Sequence, residues 1–305
     1  MNIKDEVSMV DSSKTEQLAE LSAIIRNSST IDNGIKITIE NNSVARRIFK
    51  LFKDIYDVTP SITVRRRYGL NNNLIYILNI TNSKYYNILN DLSIINSQGI
   101  FQDIPSEYII SDSEDMRAYL RGLFMTCGSV NDPKTSRYHL EFVVDSCKYA
   151  NFVNDILNDY NLNSKVIKRE KNYMVYVKEA EKISDFLRII KSYSGVMYFE
   201  DIRIYRDHKN MTNRLNNCEQ ANMDKVFMTA NKQIKDINIL KEHDLIDVLD
   251  DKIREAIEYR LKYPESSLSE LANIMSNDLG YDISKSGLNH RFRKIKEIVS
   301  KLENK

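Results

Sequence analysis

The chain has 305 residues, 42% of them hydrophobic, and a formal net charge of +1. That is length for two or three domains and apolar content for real cores, without the overall basicity that coats nucleic acid. No run of 18 apolar residues argues for a spanning helix. The opening MNIKDEVSMV lacks the apolar core of a secretory signal, so none is expected, and the cysteine usage fits a reducing cytoplasm. Cys127, Cys147 and Cys218 are odd in number and far apart, and give no disulfide framework. They show no metal-ligand spacing with His139, His208, His243 and His290, so no metal and no cofactor are expected.

Residues 14–31 have helical period, with Leu18, Leu21 and Ile25 on one face. Gly34 marks a turn, and 35–39 (IKITI) alternates as a strand. Residues 42–56 return to helix through Val44, Ile48, Leu51, Phe52 and Ile55. Strand-like runs follow at 61–67 and 74–81, then a helix at 83–92. The order recurs as helix 114–127, strand 138–145, helix 147–160, strands 165–169 and 173–178, and helix 180–193. Pro60, Pro105 and Pro133 fall in connections. With an offset of 99 residues, 21–31 lies over 120–130, and Ala19 and Ala23 match Ala118 and Gly122. Small residues at i and i+4 share a helix face. The two repeats are therefore predicted to meet backbone to backbone along these helices, as a pseudo-twofold pair.

Residues 202–213 carry Arg203, Arg206, His208 and Lys209, with Arg214 just beyond, and read as a linker. Residues 217–237 read as a polar helix with Cys218, Ala221, Val226, Ala230, Ile234 and Ile237 as its apolar contacts, bridging two domains or packing on the first. Arg214, Asn217 and Glu219 fit a buried hydrogen-bonded hinge better than a ligand site. A helix at 245–262 has a stripe of Leu245, Val248, Leu249, Ile253, Ile257 and Leu261, and Pro264 ends it. Ser267 and Glu270 have capping-box spacing ahead of a short helix at 267–275. Ser284 caps a last helix whose Leu288, Phe292, Ile295 and Val299 share the apolar face.

Charge follows this division: from 245 to 282 four basic residues stand against nine acidic ones, and from 283 onward seven against two. Two short helices, the second basic, predict a helix-turn-helix with 285 onward as recognition helix. The bland alternative is a surface helix packed on its neighbour, and the connection 276–282 is long for the motif. Base reading falls to Lys285, Ser286, Asn289, His290 and Arg293, since Asn can read adenine and Arg guanine. Lys294 and Lys296 contact phosphate, and Ser284 and Arg291 complete the predicted interface. Gly287 permits close approach to the DNA backbone or to the preceding helix. Arg65, Arg66 and Arg67, with Lys165, Lys168 and Arg169 at the equivalent place in repeat two, form a candidate second DNA surface, a basic saddle. Otherwise that domain is a platform for protein partners or small ligands.

The order of elements in each half resembles the LAGLIDADG homing-endonuclease fold. LRGLFMTCG (120–128) is similar to its signature helix, and LSAIIRNSS (21–29) is a more drifted copy. In active members of that family each signature helix ends in a metal-binding acid. The matching positions here are Ser28 and Cys127, and neither can anchor a hard magnesium ion. Asp32 and Asp132 lie beyond the helix ends. The resemblance implies the nuclease fold without the nuclease chemistry. YLRGLFMTCGSVNDPKTSRYHLEF (119–142), NRLNNCEQANMDK (213–225), SLSELANIM (267–275) and ISKSGLNHRFRKI (283–295) resemble the WhiA-type regulators of Gram-positive bacteria. That resemblance implies a non-catalytic, double-stranded-DNA-binding transcriptional regulator at promoters, associated with the nucleoid, with roles in sporulation, cell division and chromosome segregation. A sigma factor, RNA polymerase and cell-division proteins are candidate partners, and no membrane is implied.

The expected fold class is α+β: a pseudo-twofold LAGLIDADG-like two-repeat domain (1–110 and 111–205), a linker and bridging helix (206–241), and a small all-α helix-turn-helix domain (242–305). A protein-interaction scaffold with accessory DNA binding and a metal-dependent endonuclease are the alternatives. The oligomeric state stays open, monomer included.

Overall fold

A computed structural model describes residues 2–66, 74–81, 84–135 and 137–303. The chain divides into two compact units, Met1–Arg206 and Asp207–Lys305.

The first unit contains the repeat. A short helix α1 (Ile3–Val7) precedes α2 (Lys14–Ser28). Ser13 opens α2 with a full capping box, its hydroxyl accepting the Glu16 N–H and the Glu16 carboxylate accepting the Ser13 N–H. The helix ends three residues before the predicted position. Ser28 and Ser29 turn their hydroxyls back onto the carbonyls of Ile24 and Ile25, 2.6 Å each. Ser29–Ile31 then becomes strand β1, paired with β2 (Ile35–Ile39). The rest of the repeat is α3 (Asn42–Tyr56), β3 (Ser61–Arg66), β4 (Leu74–Ile80) and α4 (Tyr85–Asp91). Repeat two supplies α5 (Ser113–Cys127), β5 (Gly128–Val130), β6 (Leu140–Val144), α6 (Cys147–Asp159), β7 (Lys165–Arg169), β8 (Asn172–Val177) and α7 (Ala180–Ile189). The two antiparallel sheets have the same order, β1-β2-β4-β3 and β5-β6-β8-β7. Ile35, Ile37 and Ile39 alternate into the core, as do Leu140, Phe142 and Val144.

Helices α2 and α5 pack together at the centre. A Cβ built on Gly122 would sit 2.3 Å from the Glu20 carbonyl oxygen, so only glycine allows this approach. Ala19, Ala23 and Ala118 are buried along the same seam. The predicted backbone-to-backbone pairing is therefore present.

The seam also holds charge. Glu20 is fully buried and accepts from Arg47 Nε (2.7 Å) and Arg121 Nε (2.9 Å). The Ser12 hydroxyl accepts from both guanidinium groups. Pairing and hydrogen bonding are what make buried charge tolerable. In the 99-residue register, Glu20 corresponds to Tyr119 and Arg121 to Ser22. Tyr119 instead bonds Tyr149 through the hydroxyls (2.7 Å), and Ser22 donates to the Leu92 carbonyl (2.7 Å). The pair is symmetric in backbone and asymmetric in charge.

The predicted helix at 180–193 is interrupted. Lys191 takes a left-handed φ of 62°, and a new helix, α8 (Tyr193–Glu242), begins. The Glu6 carboxylate of α1 sits at its start and accepts from Ser192 Oγ (2.6 Å), Ser194 N (2.8 Å), Ser194 Oγ (2.9 Å) and Gly195 N (3.2 Å). Burial alone would raise the Glu6 pKa, but these bonds outweigh it and hold the carboxyl below its ordinary value. An anion at a helix N-terminus also meets the favourable end of the macrodipole.

Helix α8 runs 50 residues without a break, so 202–213 is helix rather than linker. After Gly195 it contains neither glycine nor proline to stop it. Residues 207–225 are exposed. Cys218 and Ala221 are therefore not core contacts, and Arg214, Asn217 and Glu219 do not form a buried hinge.

In the second unit the last turns of α8 join the core, with Ile237 and Leu240 fully buried. A 3-10 turn at Ile246–Val248 precedes α9 (Asp251–Lys262), which Asp250 caps. The predicted stripe is thereby shortened. Val248 lies ahead of the cap and is 80% exposed, and Leu261 is 44% exposed. Ile253, Ala256 and Ile257 carry the packing, together with a buried Arg260. Two further helices, α10 (Leu268–Leu279) and α11 (Lys285–Glu303), complete this unit.

Candidate nucleic-acid interface

Ser267 opens α10 with a second capping box. Its hydroxyl accepts the Glu270 N–H (3.2 Å), and the Glu270 carboxylate accepts the Ser267 N–H (2.8 Å), which holds that carboxyl below its ordinary pKa. The helix continues a turn beyond the predicted Met275, to Leu279, and Gly280 closes it at φ 72°. The connection is then 280–284, shorter than the sequence predicts. Ser276 pins it: its hydroxyl donates to the Ala272 carbonyl (2.8 Å) and accepts the Ile283 N–H (2.9 Å). Ile283 is buried beneath the turn.

The Ser284 hydroxyl then accepts the Gly287 N–H (3.1 Å) and starts α11. Leu288, Phe292, Ile295 and Val299 are buried against α9 and α10, as their spacing predicts. Lys285, Ser286, Asn289, His290, Arg293, Lys294 and Lys296 are exposed on the remaining surface. Arg293 is held by its own helix: Nη2 lies 3.3 Å from His290 Nδ1 and Nε 4.0 Å from Glu297. A Cβ on Gly287 would meet only Ser284 Oγ within 4 Å, so Gly287 makes no close approach to α10. Arg291 differs from its neighbours. Its side chain is 14% exposed and bonds the Lys252 carbonyl (3.0 Å) and Glu255 (3.4 Å). Glu255 also accepts from the Tyr281 hydroxyl (2.6 Å). Arg291 therefore ties α11 and the turn to α9. Spacing already sets the two apart, since Arg291 is three residues from Leu288 and four from Ile295 and so borders the buried stripe, whereas Arg293 does not; the partner Glu255 is what only the fold supplies.

The five described basic residues of the candidate saddle are divided by strand alternation. Arg65 pairs with Ile75, and Lys165 and Arg169 pair with Tyr176 and Asn172, on the faces turned away from the helices. Arg66 and Lys168 lie one residue out of phase, on the opposite faces. Arg67 lies outside the described residues. The outward face of the second sheet also carries Glu141, hydrogen-bonded to His139 and Ser129. No continuous basic stripe joins the described members of the set.

At the ends of the paired helices, Ser28 and Cys127 both turn inward. Cys127 Sγ donates to the Leu123 carbonyl (3.4 Å), as Ser28 does to Ile24. Burial pushes the Cys127 thiol up to about 12, against the opposing charge of Lys4, so it is protonated at neutral pH. Asp32 is exposed, and Asp132 accepts from Lys134 N and the Tyr198 hydroxyl. Among the described residues no three His, Cys, Asp or Glu side chains gather to hold a metal ion, and no helix is long and apolar enough to cross a membrane.

Comparison with known proteins agrees with this architecture. Three family models match: the WhiA N-terminal LAGLIDADG-like domain over 14–95, the WhiA LAGLIDADG-like domain over 116–209, and the WhiA C-terminal HTH domain over 212–299. The chain is 40% identical to a Staphylococcus epidermidis protein named "Probable cell division protein WhiA", over 99% of this chain and 96% of that one. A Staphylococcus aureus protein of the same name is 40% identical, with the same coverage. The crystal structure of full-length DUF199/WhiA from Thermatoga maritima has the same fold, with a TM-score of 0.56 and 22% identity over 98% of this chain and 96% of that one.

Proposed function

The chain belongs to the WhiA family, and from that premise we propose that it is a non-catalytic, double-stranded-DNA-binding transcriptional regulator that reads bases through α11. The exposed face of α11 carries this reading: a helix anchored on one side by Leu288, Phe292, Ile295 and Val299 presents Ser286, Asn289, His290 and Arg293 in its first three turns. Lys285, Lys294 and Lys296 flank them as phosphate contacts, Ser284 fixes the helix start, and Arg291 leaves the interface for packing. Ser28 and Cys127 offer no carboxylate, which supports a binding role over a nuclease role.

The name of its relatives supports work in cell division. Control of promoters, sporulation and chromosome segregation extends that reading from the family resemblance, as do a place at the nucleoid and contact with a sigma factor, RNA polymerase or a cell-division protein. The divided saddle favours a protein platform over a second DNA surface for the first unit. We set the two repeats at 1–110 and 111–205. The headpiece starts within α8, ahead of residue 242, because Ile237 and Leu240 belong to its core.

The test is selection and sequencing of genomic duplex fragments bound by the full chain at about physiological salt. A defined motif is expected. Arg293→Ala should weaken the best site by about 1–3 kcal/mol and relax the motif, whereas Lys296→Ala should weaken all sequences about equally. Equal affinity of both variants and the parent for the best site overturns the assignment of α11. Cleavage of the bound duplex on adding magnesium overturns the non-catalytic reading.

A further inference from the structure

The second unit contains a cavity of about 190 Å3 between α8, the end of α9 and the starts of α10 and α11. Its polar lining is Lys225, Arg260, Ser266, Ser267 and Lys285. The volume is below the roughly 300–1,000 Å3 of pockets that enclose a whole small molecule. It suits a single charged group.

Arg260 is the unusual member. It is 1% exposed, yet no carboxylate of the described residues pairs with it. Its Nη1 donates to the carbonyls of Ser266 (2.6 Å) and Tyr263 (3.3 Å), and its guanidinium lies 5.5 Å from the centre of the Phe292 ring. Its Nε is buried without a partner. Buried charges in proteins are ordinarily paired, and an orphaned donor carries its full desolvation cost. Burial accordingly holds the guanidinium below its ordinary pKa, with no opposing charge to restore it. Lys225 and Lys285 add two further positive charges at the same opening, where the N-terminus of α10 adds its dipole. The nearby acids Asp224, Glu265 and Glu270 line a neighbouring hollow that shares Val226 and Ser267 with this one, and the Glu270 carboxylate is taken up by the Ser267 N–H. None of them lines this one.

We propose that this notch is a phosphate site, in which Arg260, Lys225 and Lys285 take one phosphoryl group from the DNA backbone beside the groove that α11 enters. The source of the phosphate rests on the reading of α11 above, because Lys285 is both the first residue of that helix and part of the lining. The cavity, the unpaired guanidinium and Lys225 do not depend on that reading.

Lys225 is the clean probe, being exposed and outside α11, with a side chain that bonds no other described residue. Duplexes carrying the selected motif are made with a neutral methylphosphonate at each backbone position in turn. They are titrated with the full chain and with Lys225→Met. One position flanking the motif should cost the parent roughly three- to tenfold in affinity. At that position Lys225→Met should lose nothing more, and its log affinity should fall with log salt less steeply by about one. Arg260→Gln, checked by thermal melting for an intact fold, should reproduce the coupling.

In a second arm inorganic phosphate is titrated into the full chain without DNA, and amide shifts are followed at Ser267 and Lys285. Saturable shifts in the parent that vanish in Lys225→Met, together with additive effects at every duplex position or with no duplex binding at all, keep the notch and assign it to a free phosphorylated molecule. No duplex binding by the parent sinks the reading of α11 and leaves this arm to decide. Absence of coupling together with absence of saturable phosphate binding overturns the proposal.

Discussion

Two kinds of buried arginine divide the molecule. In the first unit Arg47 and Arg121 share the carboxylate of Glu20, and Ser12 bonds both. In the second, Arg260 is buried to the same degree and meets only carbonyls and an aromatic ring. In the first arrangement each charge meets an opposite charge inside the fold, although Arg121 Nη1, like Arg260 Nε, is buried without a hydrogen-bond partner, and the cluster holds the two repeats together. The second is open on the charge side and leaves a cation for something outside the chain. A buried cation is thus a structural statement in one unit and a binding statement in the other, and the difference lies in the missing acid.

That contrast can be broken most strongly at Glu20. Glu20→Gln keeps the shape but removes the carboxylate that Arg47 and Arg121 share, leaving Arg121 only the longer 3.9 Å contact with Glu16, so it should cost about 3–5 kcal/mol in urea unfolding of the first unit. Gly122→Val attacks the same seam by bulk, since the first added carbon would lie 2.3 Å from the Glu20 carbonyl. A loss of about 3 kcal/mol is expected, read as a lowered unfolding midpoint. Arg260→Gln should cost no more than about 2 kcal/mol, because the bonds to Ser266 and Tyr263 weaken but no acid is stranded. A cost equal to that of Glu20→Gln would erase the distinction between the two units.

The smallest effect is expected at Glu6, where Glu6→Gln should cost about 1 kcal/mol, in the range of a helix cap. Its sign with pH follows from the lowered folded pKa. The contribution is present above the ordinary carboxyl value of 4.5 and is lost as pH falls through the lower folded value. Stability measured from pH 7 down to pH 3 should therefore fall less steeply in Glu6→Gln than in the parent. Parallel profiles would remove Glu6 as a charged cap.

Much of this was legible in the chain. Helices with a strong apolar stripe, such as 42–56, came out with their observed ends, because period and burial coincide there. The close pairing of α2 and α5 was visible in Ala19, Ala23, Ala118 and Gly122. Strands β1 and β5 leave no mark in the sequence, because three residues are too few to show alternation. The sequence shows a linker and a shorter helix where α8 runs unbroken, because the exposed middle of α8 has no apolar period to display. The apolar pattern of α10 fades after Met275, and the stop lies at Gly280.

At the candidate interface the exposed face of α11 followed from its apolar face, but the partner of Arg291 did not. It depends on Glu255, which only the fold brings near. The division of the saddle was readable, since Arg65 and Arg66 are adjacent in a strand and must point opposite ways. Arg260 was not, because a charged residue between apolar neighbours reads as exposed until a cavity shows otherwise.

The unequal seam between the repeats has a further consequence for partner choice. Glu20 reaches across to Arg121, while the symmetry-related pair is Tyr119 with Ser22. Two copies of the first repeat would set Glu20 against Ser22, and two copies of the second would set Arg121 against Tyr119. A pair of first repeats would keep Arg47 on Glu20, whereas a pair of second repeats would strand the buried Arg121, whose partners Glu20, Ser12 and Glu16 all lie in the first repeat. Supplied as separate chains, the second half should choose the first over a copy of itself. The dependence runs one way: the second half relies on the first to neutralise its buried cation.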